Sequence, residues 1–103
     1  MNLTSKNFQH VLDTNKVVLV DFWADWCAPC KMLSPTINQL EKEYSGRAII
    51  GKVNTQVENN LSARYGIRSL PTILIFKDGK ITEQLTGVKS KTQYADKLNY
   101  YLN

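Results

Sequence analysis

Val17-Val18-Leu19-Val20-Asp21-Phe22-Trp23-Ala24-Asp25-Trp26-Cys27-Ala28-Pro29-Cys30-Lys31-Met32-Leu33 changes period in the middle. Val17 to Val20 are continuously apolar and rich in β-branched residues, as in a strand covered on both faces. From Leu33 the apolar residues recur at helical spacing, through Ile37, Leu40 and Tyr44. A strand therefore gives way to a helix at the two cysteines. Cys27 falls at the helix N-cap, with Ala28, Pro29 and Cys30 in the first turn. Proline suits that turn because its missing N–H would have no helical partner there. Gly46 reads as the stop.

The same reading extends in both directions. Upstream, Phe8, Val11 and Leu12 fall three and four apart on a first helix that Ser5 is expected to cap. Only Met1-Asn2-Leu3 precede it, so any N-terminal strand is very short. Downstream, Ala48–Val53 is a second strand, Leu61 and Tyr65 suit a short helix closed by Gly66, and Thr72–Phe76 is a third strand. Lys77-Asp78-Gly79-Lys80 joins it to Ile81–Thr86, and Asp-Gly between strands is a strong hairpin signal. Ser90 caps a last helix carrying Tyr94, Leu98, Tyr101 and Leu102. Alternation first and a hairpin last define an α/β chain, a central mixed β-sheet flanked by four α-helices.

The chain has 103 residues, within the usual size of one domain, so residues 1–103 are expected to form a single unit. Apolar residues make up 43% and charged residues 21%, which excludes a disordered or collagen-like chain. The net charge of +4 is too mild to argue for nucleic acid. No apolar run approaches the roughly 18 residues of a membrane span, and Met1–His10 lack the pattern of a secretory signal. No membrane role and a cytoplasmic location are expected.

Two cysteines and one histidine cannot complete a four-ligand zinc site, so no metal is expected. The pair reads instead as redox chemistry. Free N–H groups and the positive helix end lie toward the Cys27 sulfur and favour thiolate over thiol. The thiolate is the attacking species in disulfide exchange. Cys30, one turn on and expected to be more covered, can then resolve the mixed disulfide, leaving Cys27 and Cys30 joined. A lone Cys-x-x-Cys is weak evidence, but one placed between a parallel strand and a helix is strong.

Asp21–Lys31 closely resembles the active-site segment of the thioredoxin family. The likeness continues through Tyr65-Gly66-Ile67-Arg68-Ser69-Leu70-Pro71-Thr72, Phe76-Lys77-Asp78-Gly79 and Gly87. It implies the thioredoxin fold and a protein disulfide reductase with no bound cofactor. An NADPH-dependent flavoprotein, thioredoxin reductase, would return the oxidised pair to the dithiol. Protein disulfides are the implied substrates, and a monomer is expected.

The resemblance also implies roles for neighbouring residues. Asp21 interrupts an apolar run, where a buried carboxylate tends to hold its proton, and is expected to exchange a proton with Cys30. An exposed strand-end Asp is the plain alternative. Lys52 matches the family lysine that tunes this Asp, against a merely solvated strand lysine. X–Pro bonds are cis in only about 5–6% of folded cases, so sequence physics predicts trans at Pro71. The family proline is cis, turning the Leu70 backbone toward the cysteines, where substrate chain could pair as an added strand. Trp26, Ala28, Pro29, Leu70, Pro71, Gly87 and Val88 match an apolar docking rim. Trp23 reads as core or near-site packing, His10 as helix surface, and Pro35 as a kink in the cysteine-bearing helix.

Departures are local. Ala28 stands where glycine is commonest between the cysteines, which implies a modest change in reduction potential. Gln56-Val57-Glu58-Asn59 replaces an acidic residue and an Asn-Pro turn, and Thr86 replaces an apolar rim residue. Two rival functions are a disulfide oxidant of an exported compartment and a redox-fold binding subunit that lends its apolar rim to a partner enzyme.

Overall fold

The computed structural model describes residues 1–103. In chain order the elements are α1 (Phe8–Thr14), β1 (Val17–Trp23), α2 (Ala28–Glu43), β2 (Ile49–Asn54), α3 (Asn59–Arg64), β3 (Thr72–Lys77), β4 (Lys80–Thr86) and α4 (Lys91–Leu102). The sheet order is β2-β1-β3-β4. β1 runs parallel to β2 and antiparallel to β3, and β3 and β4 form the hairpin. The sheet is therefore mixed, with the cysteine-bearing connection at one end of its central strand.

Alternation along β1 divides the core between the two faces. Val17 and Leu19 join Leu33, Ile37 and Leu40 of α2, its C-cap Tyr44, and Tyr94 and Leu98 of α4. Val18, Val20 and Phe22 join Phe8, Val11 and Leu12 of α1 and Leu61 of α3. Asp21, in phase with Val17 and Leu19, falls on the α2 face. Its own strand thus carries the carboxyl group under the helix that holds the cysteines.

Local chemistry fixes the element ends. At the hairpin Asp78 and Gly79 take positive φ values of 51° and 81°, as a two-residue primed turn requires. Ser90 caps α4 reciprocally: its Oγ accepts from Gln93 N–H at 3.2 Å, and Gln93 Oε1 accepts from Ser90 N–H at 2.9 Å. Ser5 does not cap α1, contrary to the sequence expectation. The N-cap is Asn7, with no side-chain cap bond, and Ser5 N–H donates to Glu58 Oε1 at 2.9 Å. A turn at residues 4–7 moves the helix start downstream, and the long-range carboxylate partner is invisible to local pattern.

The N-terminal strand shrinks to one parallel pairing of Asn2 with Lys52. Lys52 N–H donates to Met1 O and Leu3 N–H to Lys52 O, both at 2.8 Å. Leu3 is buried over Gly51, where an added Cβ would lie 2.4 Å from its Cδ1. Glycine is needed there for close approach.

Candidate active site

Cys27 is the N-cap of α2, in extended conformation, and its Sγ accepts from Cys30 N–H at 3.2 Å. The two cysteines form a disulfide with a Cα–Cα separation of 5.3 Å. Cover does not distinguish them as expected. Cys27 is 3% exposed and Cys30 5%, because Ala24 and the half-buried Trp23 and Leu70 close over both. The asymmetry between the sulfurs comes from the helix opening, which directs an amide at Cys27. Pro35 sits inside α2 without ending the helix.

Asp21 is 2% exposed, and its Oδ1 has no hydrogen-bond partner. Burial pushes its pKa from 3.8 up to about 7, and the nearby Lys52 charge pulls in the opposite direction. Lys52 stands opposite Asp21 in the β1–β2 register. Its ammonium donates to Ser34 Oγ at 3.3 Å and Asn38 Oδ1 at 3.0 Å, so it is held to α2 rather than paired with the carboxylate. Asp21, Trp23, Cys30, Lys31, Ser34 and Lys52 are among the walls of one cavity of about 370 Å³. Carboxyl group and sulfur thus share a pocket with room for water, wide enough for a relayed proton.

None of the expected rim residues is among the walls of this cavity. Trp26 is 71% exposed, and Ala28, Pro29 and Val88 are also exposed. Leu70 is half-buried against the cysteines and Pro71 is buried, with the Leu70–Pro71 peptide cis. The trans expectation from sequence physics fails at this bond, and the expectation from the family resemblance matches. Gly87, at φ 84°, donates its N–H to Pro71 O at 2.9 Å, which brings the loop after β4 beside the proline. His10 is exposed on α1, outside this site.

Sequence reading missed three features. Met32 is 74% exposed on the outer face of α2; its spacing of four and three from Ala28 and Pro29 was the available signal. Val57 is 70% exposed in the loop after β2. That loop is tied to the cysteine loop: Thr55 donates its N–H and Oγ1–H to Trp23 O at 2.9 and 3.0 Å, and Asp25 N–H donates to Gln56 Oε1 at 2.8 Å. Only tertiary structure joins these residues, so no local pattern announces them. No group of three or more His, Cys, Asp or Glu side chains is placed to hold a metal ion. No helix is long and apolar enough to cross a membrane.

Residues 1–100 match the family described as Thioredoxin. A thioredoxin of Chlorobaculum thiosulfatiphilum is 50% identical over 100 residues, covering 96% of this chain and 93% of that protein. A thioredoxin of Synechocystis sp. is 43% identical over 94 residues, covering 91% and 88%. Among solved structures, a mutant thioredoxin from Halobacterium salinarum NRC-1 is 31% identical and superposes with a TM-score of 0.93, over 100% of this chain and 90% of that one. Likeness of this extent, joined to a cysteine pair already at bonding distance, defines a thiol–disulfide oxidoreductase. The chain belongs to the thioredoxin family.

Proposed function

We propose that the chain works as a protein disulfide reductase, with residues 1–103 as one domain, Cys27 as nucleophile and Cys30 as resolving thiol. The observation that carries this reading is the Cys30 N–H aimed at Cys27 Sγ across 3.2 Å. An amide donor and the positive helix end both stabilise a sulfur anion at Cys27 more than at any sulfur further along the helix.

The Cys27 thiolate attacks one sulfur of a substrate disulfide. That S–S bond breaks, a Cys27–substrate bond forms, and the released substrate thiolate takes up a proton. Cys30 then loses its proton and attacks Cys27 Sγ. The mixed disulfide breaks, the second substrate sulfur leaves as thiolate and is protonated, and Cys27 and Cys30 end joined. Two electrons and two protons have passed to the substrate.

Asp21 accepts the Cys30 proton, across the shared cavity, and returns it to the departing thiolate. A pKa near neutrality suits both directions of that transfer. Lys52 tunes Asp21 by moderating the effect of burial. Trp26, Ala28, Pro29, Leu70, Pro71, Gly87 and Val88 form the docking rim. Leu70 offers backbone groups to an extended substrate segment, a mode of binding that makes few demands on sequence.

An oxidised pair must be reset by an external two-electron donor. Thioredoxin reductase, drawing on NADPH, is the partner that fits, in the cytoplasm and with the chain as a monomer. The test follows insulin disulfide reduction with NADPH and a flavoprotein reductase for wild type, Cys27→Ser and Cys30→Ser. Both variants are expected to lose turnover, and only Cys30→Ser to accumulate a covalent partner adduct. If Cys27→Ser forms the adduct, the two roles are reversed. If a Cys27→Ser/Cys30→Ser chain keeps its biological role, the chain serves as a binding subunit instead.

A further inference from the structure

We propose that the docking face selects disulfides set among acidic side chains. The inference rests on the reading of the Cys27–Cys30 site above and adds the class of substrate. Four of the seven exposed large apolar side chains, Trp26, Met32, Val57 and Val88, belong to the segments around the bridge. Apolar contact of this kind holds a partner but does not choose among partners. The charges set between these side chains are unbalanced.

Lys31 follows Cys30 directly and lines the cavity at the site. Arg68 is two residues before Leu70, and Lys89 two residues after Gly87. The three ion pairs of the molecule, Met1 with Glu41, Lys91 with Glu43 and Lys97 with Glu83, use none of these cations. The carboxylates of the same end are fewer. Asp25 is exposed, Asp21 is buried in the cavity, and Glu58 is turned toward Ser5 N–H. These segments thus carry three cations outside any ion pair against one exposed carboxylate. Such an excess beside a reacting sulfur raises the encounter rate of acidic partners and lowers that of basic ones, and salt screens it.

Selectivity resides in the placement of these charges. The cations stand on three separate segments, the first turn of α2, the loop before β3 and the loop after β4, which are the segments that carry Cys30, Leu70 and Gly87. A partner needs acidic groups beside its own disulfide, because beyond about 10 Å at moderate ionic strength the attraction is screened.

Three cystine-loop peptides of equal length, with their cysteines flanked by Glu, Gln or Lys, test this. At low ionic strength kcat/KM is expected to fall in the order Glu, Gln, Lys, with about a tenfold span. At high salt the span should shrink to about twofold. A Lys31→Glu/Arg68→Glu/Lys89→Glu chain should reverse the order. Equal rates at low salt, or a span that salt does not change, would overturn the inference while the Gln peptide is still turned over. Failure to reduce the Gln peptide at all removes the proposed function and the inference with it. Should the triple variant not fold, the salt series on wild type decides alone.

Discussion

Replacing Asp21 by Asn is expected to make the oxidised protein more resistant to unfolding, and increasingly so as pH rises. Asp21 is 2% exposed, its Oδ1 has no partner, and its pKa is raised from 3.8 to about 7. The folded chain therefore holds a proton that the unfolded chain releases. Its stabilising contribution is complete below about pH 4 and is lost as pH rises through about 7. Relative to that acid limit, carrying the charged group costs about 4 kcal/mol at pH 9 and about 1.5 kcal/mol at pH 5. The wild type should thus lose roughly 2.5–3 kcal/mol between those two pH values that Asp21→Asn does not lose. Any pH-independent effect of the new amide cancels when the two pH values are compared. The bridged cysteines do not titrate, so the oxidised form isolates the carboxyl group. Guanidinium unfolding at pH 5 and pH 9 without reductant, followed by the fluorescence of Trp23 and Trp26, measures the difference. A gap between wild type and variant that is the same at both pH values would refute the raised pKa and remove the basis for Asp21 as a proton carrier.

Four further outcomes are expected. Ser90→Ala removes the α4 capping box and should lower unfolding free energy by about 1 kcal/mol in denaturant titrations. Gly51→Ala drives a methyl into Leu3 and should cost about 1–3 kcal/mol; hydrogen exchange at the Lys52 amide, bonded to Met1 O, should accelerate with it. Gln56→Ala should speed exchange of the Asp25 amide by about fivefold, the loss of roughly 1 kcal/mol, while Gln56→Glu keeps the acceptor and the protection. Ala28→Gly, at the first helical residue, should shift the reduction potential by about 20 mV, read against a glutathione buffer, and leave the roles of the two cysteines unchanged; an unchanged potential would refute a tuning role for Ala28.

The architecture was legible because its signals are periodic and local. Val17–Val20 announced a covered strand, Leu33, Ile37, Leu40 and Tyr44 a helix face, Asp78-Gly79 a turn and Ser90 a cap, and each stands where the pattern put it. The burial of Asp21 was half-legible: an acid in an apolar run signals either a strand end or a buried carboxyl, and only the phase it shares with Val17 and Leu19 beneath α2 decides between them. Ser5 misled because Glu58, 53 residues away, takes its N–H. The cover over Cys27 was missed because Leu70 arrives from a distant loop. Thr55 and Gln56 gave no signal, since their partners at Trp23 and Asp25 are joined to them only by the fold.

The β1–β3 ladder pairs Phe22 with Thr72, so the loop bearing Cys27 and the loop bearing Pro71 leave the sheet side by side. The sheet acts as a ruler between them. A slip of one residue would shift the proline by about 3.3 Å and exchange the faces of β3, setting the Ile73 and Ile75 side chains against the wrong helices. Residues 59–69, between the tether at Thr55 and Gln56 and the cover at Leu70, do not set that spacing. Insertions or deletions there would leave the gap between sulfur and proline unchanged. Divergence in partner choice can therefore accumulate in that stretch while the reacting geometry stays fixed by hydrophobic alternation elsewhere.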